Sequence, residues 1–440
     1  MHNRNSRTNV PLHSLPVDLL VVIFSDAITN CLKRYPQLRD PTSVPIHECY
    51  RYLSLLYSDQ PRREYGELIK LTRVCTHWRR IILDTPTFWN RIHFPARDEQ
   101  LIDMHLRRAQ SVLLDVSVYL NANPRFEPIF RKFLLENMHR IERLCVFSSR
   151  FVPPNTLFTE PFFTSRLKYL FVEGHSYRSF MDVKLPSFPG QNVPCVEEIS
   201  LHNVNPVADV TIFKSVVRLQ LTSDIYSRQE GGWPLSTVLQ ILGHCQNTVE
   251  EVKVYILVPS RNGENGILSI EPIHLLRLRR LEYVDKGDQN VPSNLLQYIY
   301  APHVLTLHVA SAISQHSQGS LQVLPPTFTQ LSQRNPVFLE VYRPNSEWHL
   351  GLNLYADPEK RKKLFAFRFI LLYFRQRDLE NIQSEVLLST AEQHSLLSIE
   401  YLQITNSINI AGPLRSFVEK HPGFKSTVIV DEELITSPYY

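Results

Sequence analysis

Chemistry would need a nucleophile with a base, converging carboxylates, a metal-ligand cluster or a glycine loop, and each has one candidate in this chain. His244 and Cys245 supply a base and a thiol side by side. Neighbours on one element rarely face each other, and a working pair usually meets through the fold, so this pair reads as structural. His47-Glu48-Cys49 lacks the second histidine that a metal-binding helix needs. Glu197-Glu198, Glu250-Glu251 and Asp431-Glu432-Glu433 are sequence neighbours, two of the three in predicted strands. Adjacent strand side chains point to opposite faces, which suits solvation better than shared acid/base work.

The 13 glycines form no phosphate-cradling loop, and Gly263-Glu-Asn-Gly266 reads as a turn. Cys31, Cys49, Cys75, Cys145, Cys195 and Cys245 are dispersed, with no C-x-x-C pair. No catalytic residue, metal site or cofactor is expected.

The elements that would position a binding surface are set by length and pattern. At 440 residues the chain has room for two or three average domains, or for one small domain plus an extended array. Its 43% hydrophobic and 20% charged residues are ordinary soluble usage, and a net charge of +4 predicts neither nucleic-acid nor membrane binding. The opening MHNRNSRTNVP lacks the apolar core of a secretory signal, and no N-x-[ST] acceptor occurs. No apolar run approaches the roughly 18 residues that span a bilayer. A reduced protein of the cytoplasm, the nucleus or both is expected.

Residues 1–12 read as a flexible N-terminus, and 13–95 as a helical domain with a long insert at 26–65. Leu15-Pro16 opens a helix with proline in its first turn and Asp18 near its positive end. Leu15, Leu19, Leu20, Ile23 and Phe24 recur at helical spacing. Leu68 to Leu83 reads as a second helix presenting Leu71, Val74, Cys75, Trp78, Ile81 and Ile82. A third, with Thr85 as cap, starts at Pro86 and carries Phe88, Trp89 and Ile92. The insert is polar and tyrosine-rich, with room for a short helix near Tyr50–Tyr57.

The residues Leu15-Pro16, Ile23-Phe24, Leu71-x-x-Val74-Cys75-x-x-Trp78-Arg79 and Pro86-x-Phe88-Trp89-x-x-Ile92 resemble the F-box. The Thr-Pro-x-x-Trp ending is similar to that of the expanded F-box families of basidiomycete fungi. The insert departs from the compact form of that module, and such loops are tolerated because closure entropy grows only logarithmically with length. The resemblance implies a substrate-recognition subunit of an SCF-type ubiquitin ligase that carries out no chemistry itself. Its partners would be a Skp-type adaptor, a cullin scaffold and a protein substrate. Adaptor contacts are expected from Leu15, Pro16, Ile23, Phe24, Val74, Trp78 and Trp89. The alternative is a repeat-based interaction scaffold outside ubiquitination.

Over 100–435, one pattern of aliphatic, two residues, aliphatic, one residue, aliphatic recurs, centred on 116, 144, 170, 199, 219, 252, 281 and 307, with a weaker copy at Ile399-x-x-Leu402-x-Ile404. This is the core of leucine-rich repeats, in which each strand points alternate residues into a shared core. Helices are expected around Ile129–Met138, Leu235–Leu242 and Leu295–Ile299. Asp357 to Arg377 reads as an amphipathic helix covering the last repeats, with a basic surface patch as the competing reading. The expected architecture is α/β: an N-terminal three-helix F-box followed by an irregular leucine-rich-repeat-like solenoid. Strand residues alternating with the buried ones would face a substrate. These are Arg143, Phe147, Tyr169, Phe171, His202, Arg218, Lys253, Tyr255, Arg280 and His308, with Glu198, Glu251 and Glu282 among them.

Overall fold

A computed structural model describes residues 15–33, 66–94, 99–120 and 126–148, most of 157–313, and the strands 338–342, 349–355, 363–371, 401–405 and 426–430. Residues 1–12 and 34–65, which hold most of the expected insert, lie outside the described residues. The architecture is mixed α/β, with six helices among the described residues and mostly parallel strand pairing. It forms two compact units, Met1–His175 with Phe188–Pro194 and Ser176–Ser187 with Cys195–Tyr440.

The first unit begins with helix α1, Val17–Lys33, started by the Pro16 carbonyl accepting the Leu20 N–H at 3.1 Å. Residues 26–33 therefore continue this helix rather than opening the insert. Leu20, Phe24 and Ile28, at four-residue spacing, form its buried stripe.

The single helix expected over Leu68–Leu83 is two: α2 at residues 66–72 and α3 at Thr76–Asp84. The run Thr72-Arg-Val-Cys-Thr76 is rich in β-branched residues, which lose rotamer freedom in a helix. Cys75 is extended, and its Sγ accepts the Trp78 N–H at 3.4 Å, capping α3. Arg79 Nε donates to the Thr72 carbonyl at 3.0 Å, satisfying the end of α2.

The third expected helix is only a 3-10 turn, Pro86–Phe88. Thr85 does not cap it by its side chain. Its hydroxyl donates back to the Ile81 carbonyl at 2.6 Å, at the end of α3.

Strand β1 (Arg91–Phe94), helix α4 (Glu99–Ala109), strand β2 (Leu114–Leu120), helix α5 (Phe126–Asn137), strand β3 (Ile141–Ser148) and strand β4 (Tyr169–Gly174) complete this unit. The strands run parallel in the order β1-β2-β3-β4. Val116, Leu144 and Leu170, the centres of three sequence motifs, share one register and are fully buried.

The second unit has strands β5 (Met181–Lys184), β6 (Glu198–His202), β7 (Val204–Val207), β8 (Arg218–Thr222) and β9 (Trp233–Pro234). Helix α6 (Leu235–Cys245) leads to β10 (Glu251–Val258), β11 (Ile273–His274), β12 (Arg280–Asp285), β13 (Ile299–Tyr300) and β14 (Thr306–Ile313). Ile199, Leu219, Val252, Leu281 and Leu307 align in one register along the parallel order β6-β8-β10-β12-β14. The recurring motif is therefore a repeating strand. The segment expected as a helix near Leu295 is a 3-10 turn, Leu295–Tyr298, followed directly by β13.

Strands β15 (Phe338–Tyr342), β16 (His349–Tyr355), β17 (Lys363–Leu371), β18 (Tyr401–Thr405) and β19 (Ser426–Val430) follow. The amphipathic helix expected over Asp357–Arg377 is overturned, because its centre is β17, parallel to β14 and antiparallel to β16. Phe365, Phe367 and Phe369 alternate with Ala366, Arg368 and Ile370, a two-residue period rich in strand-favouring residues.

Candidate docking surfaces

The head of the first unit has a core and an uncovered side. The Phe24 and Trp78 rings meet at 4.7 Å with a 56° tilt, joining α1 to α3. Trp89 is 2% exposed, and its Nε1 donates to the Ile82 carbonyl at 2.8 Å. His105 meets Trp89 edge-on at 5.2 Å, and the Arg108 guanidinium lies over it at 4.7 Å. Phe24 and Trp89 are thus internal core rather than adaptor contacts, and Trp78 is half-buried on Phe24.

The expected contacts left at the surface are Pro16, Ile23 and Val74, with Leu15 half-buried. Val17, Leu19 and Val22 join them: their exposures are 49%, 51% and 64%, against 41% for Ile23 and 58% for Val74. A helix apolar on all sides is ordinarily buried on all sides. The near-continuous apolar run over residues 17–24, broken only by Asp18, was the sequence signal for Val17, Leu19 and Val22.

The strand faces opposite the aliphatic core form ladders of aligned residues. In the first unit the opening rung is Arg91-Asp115-Arg143-Tyr169, and the next positions on that face are Ser117, Cys145 and Phe171, then Tyr119 and Phe147. Arg143 is exposed and stacks on the Tyr169 ring at 4.0 Å. Cys145, Phe147 and Phe171 are buried at 2%, 4% and 8%. The rings of Tyr119 and Phe147 stack at 4.6 Å, and those of Phe147 and Phe171 meet at 5.2 Å. Phe147 and Phe171 are therefore corrected from exposed contacts to a packed aromatic row.

The second unit repeats this. Its opening rung, Glu198-Arg218-Glu251-Arg280, alternates in charge, with Arg218 Nε donating to Glu198 at 2.8 Å. One rung on, Glu282 is 3% exposed, is bonded by Arg280, and lies 3.6 Å from the Lys253 Nζ. His202 is buried rather than exposed, with Nδ1 2.8 Å from the Thr222 hydroxyl and Nε2 accepting the Asn203 amide at 3.0 Å. In both units the first rung is the open one. The side chains of Tyr255 and His308, on β10 and β14, lie outside the described ones.

A cleft of about 370 Å³ adjoins the first unit's opening rung. Ser25 and Ile28 of α1 and Thr87 and Phe88 of the 3-10 turn form one side. The starts of β1, β2 and β3 form the other, bringing Arg91, Asp115 and Arg143 to its edge. The sequence pattern had singled out Arg143 alone of these three. Asp115 precedes the motif centre Val116 as Arg143 precedes Leu144, which was its signal, whereas β1 carries no copy of the motif and gave none for Arg91.

The one thiol beside a histidine is a poor nucleophile. Cys245 is 1% exposed and donates to the Ile241 carbonyl at 3.4 Å. Burial pushes its thiol up to about 12. His47-Glu48-Cys49 and Asp431-Glu432-Glu433 lie outside the described residues. Among the described residues, no three histidine, cysteine or acidic side chains converge as metal ligands, and no helix is long and apolar enough to cross a membrane. Comparison with family models, with characterised proteins and with solved structures returns no match to this chain.

Proposed function

We propose that the chain is a substrate-recognition subunit of an SCF-type ubiquitin ligase. Its helical head is a three-helix F-box that docks on a Skp-type adaptor, and its strands form an irregular leucine-rich-repeat-like solenoid that holds a protein substrate. The observation that carries this reading is the apolar side of α1, where Leu19, Val22 and Ile23 are exposed beside a packed core of Leu20, Phe24 and Ile28. Exposed apolar surface of this kind marks a protein interface. The regular register of the strand motif supports the array, and the open first rungs, with mixed charge signs and tyrosine, suit a protein partner.

In this role the chain accelerates ubiquitin transfer by proximity alone. Holding substrate and ligase on one scaffold makes their encounter effectively unimolecular. The conjugating chemistry belongs to the cullin-bound subunits.

Copurification with a Skp-type adaptor tests the reading. Wild type should retain adaptor, and Val22→Asp and Val74→Asp, both at exposed positions, should lose it while keeping their melting temperature. Adaptor that binds these folded variants as it binds wild type, or fails to bind wild type in excess, removes the proposal.

A further inference from the structure

We infer that Thr76 is a phosphorylation site for a basic-directed serine/threonine kinase, and that the phosphate releases the adaptor from the head. The inference rests on the docking reading proposed above and adds its regulation.

Availability is the first argument. Cys75, not Thr76, caps α3, its Sγ accepting the Trp78 N–H, so the Thr76 hydroxyl is not used as a cap. Thr76 is exposed, as is every residue from Arg73 to His77. Arg73 and Val74 lie in a turn and Cys75 is extended, so the approach to the hydroxyl is outside regular structure. Uncovered backbone of this kind is what a modifying enzyme can engage.

Charge is the second. Arg73 stands three residues before Thr76, and Arg79 and Arg80 three and four after it. An arginine at that upstream spacing suits a kinase cleft lined by carboxylates. Among the described residues the same spacing recurs at Arg108 and Ser111. There the arginine is engaged, lying over the Trp89 ring at 4.7 Å and donating to the Leu83 carbonyl at 3.3 Å. Arg73 is exposed and has no side-chain partner among the described residues, which leaves it open to those carboxylates.

Placement is the third. Thr76 is two residues past Val74, which is 58% exposed on the docking side. Two residues of chain span at most about 7 Å, so a group on Thr76 falls within the area that a partner seated on Val74 covers. Phosphorylation puts close to two negative charges there, and Arg80 balances about half of them. A dianion that must shed its water opposes the burial of the apolar face. The head itself stays folded, because Arg80 meets the phosphate at i,i+4 spacing with the anion on the N-terminal side.

The step is a phosphoryl transfer. Thr76 Oγ1 bonds to the γ-phosphorus of ATP as the bond to the β,γ-bridging oxygen breaks. ADP leaves, and the hydroxyl proton passes to the catalytic carboxylate of the kinase.

The full chain incubated with ATP and the catalytic domain of calmodulin-dependent kinase II, then mapped by mass spectrometry, should carry phosphate on Thr76. Arg73→Ala should slow that modification about tenfold. Adaptor pull-down after the reaction should show binding weakened at least about tenfold at an unchanged melting temperature, while kinase-treated Thr76→Val keeps the binding of untreated wild type. The inference is overturned if Thr76 stays unmodified, or if Arg73→Ala is modified as fast as wild type. It is equally overturned if the phosphorylated chain holds adaptor as the untreated chain does, or releases it only with a lower melting temperature. Untreated chain that takes no adaptor removes the docking reading, and the regulatory half of the inference with it.

Discussion

The Phe24 ring packs on the Trp78 indole at 4.7 Å, so the residue that most marks α3 in the sequence is the lid of the α1 core. Phe24 is 1% exposed beneath it. Trp78→Ala should therefore cost stability, about 2 kcal/mol given that the indole is half-buried, and lose adaptor only by loosening the head. Val22→Asp, at a position 64% exposed, should change stability by less than about 0.5 kcal/mol. Urea denaturation beside adaptor pull-down checks this. Equal destabilisation by the two variants would remove the distinction between core and docking face.

His105 links stability to pH. Burial lowers its pKa below the usual histidine range, outweighing the Trp89 carbonyl 3.2 Å away, and the nearby His93 and Arg108 add to the lowering. A group with a depressed folded pKa binds protons more readily when unfolded, so its contribution is complete above the unfolded value and shrinks as pH falls below it. The stability advantage of wild type over His105→Gln should thus decline from about pH 7 to about pH 5. A difference in urea midpoint that stays constant over that range would contradict the assignment.

Thiol labelling should divide the described cysteines by burial. Cys75 and Cys195 are exposed, whereas Cys145 and Cys245 are buried. With the Cys245 thiol raised to about 12 by desolvation, hardly any thiolate is present at neutral pH. Iodoacetamide followed by peptide mapping should find Cys75 and Cys195 modified in the native protein, and Cys145 and Cys245 only after denaturant. Fast native modification of Cys245 would reopen a nucleophilic role.

The strands were legible because a two-residue period fixes which side faces the core. Ile199, Leu219 and Val252 are on that side by alternation alone. The fate of the other side was not legible, since it depends on neighbours distant in sequence. Phe147 and Arg143 share a face, yet stacking on Tyr119 buries the first and leaves the second open. The Asp357–Arg377 segment was misread because clustered phenylalanines fit a helical stripe and an alternating strand alike. Its pairing with β14 and β16 decides the matter, and no local signal states that pairing. In the head, the motif tryptophans signalled packing and docking equally. Only the exposures of Val22 and Val74 separate the two.

Glu282 offers a sharper measure of how the second unit tolerates charge inside its ladder. Its carboxylate accepts from Arg280 Nε at 2.8 Å and lies 3.6 Å from Lys253, itself mostly covered, in the same register. Removing the acid leaves two cations facing each other in a partly desolvated place, so Glu282→Ala should cost about 2–3 kcal/mol. Lys253→Met removes one cation and leaves Arg280 bonded to Glu282, so its cost should be under about 1 kcal/mol. The double variant Glu282→Ala with Lys253→Met should cost less than the sum of the single changes, since a cation stranded by one is deleted by the other. Urea denaturation of the four proteins gives the coupling. Strict additivity would mean that Glu282 and Lys253 act independently within the ladder.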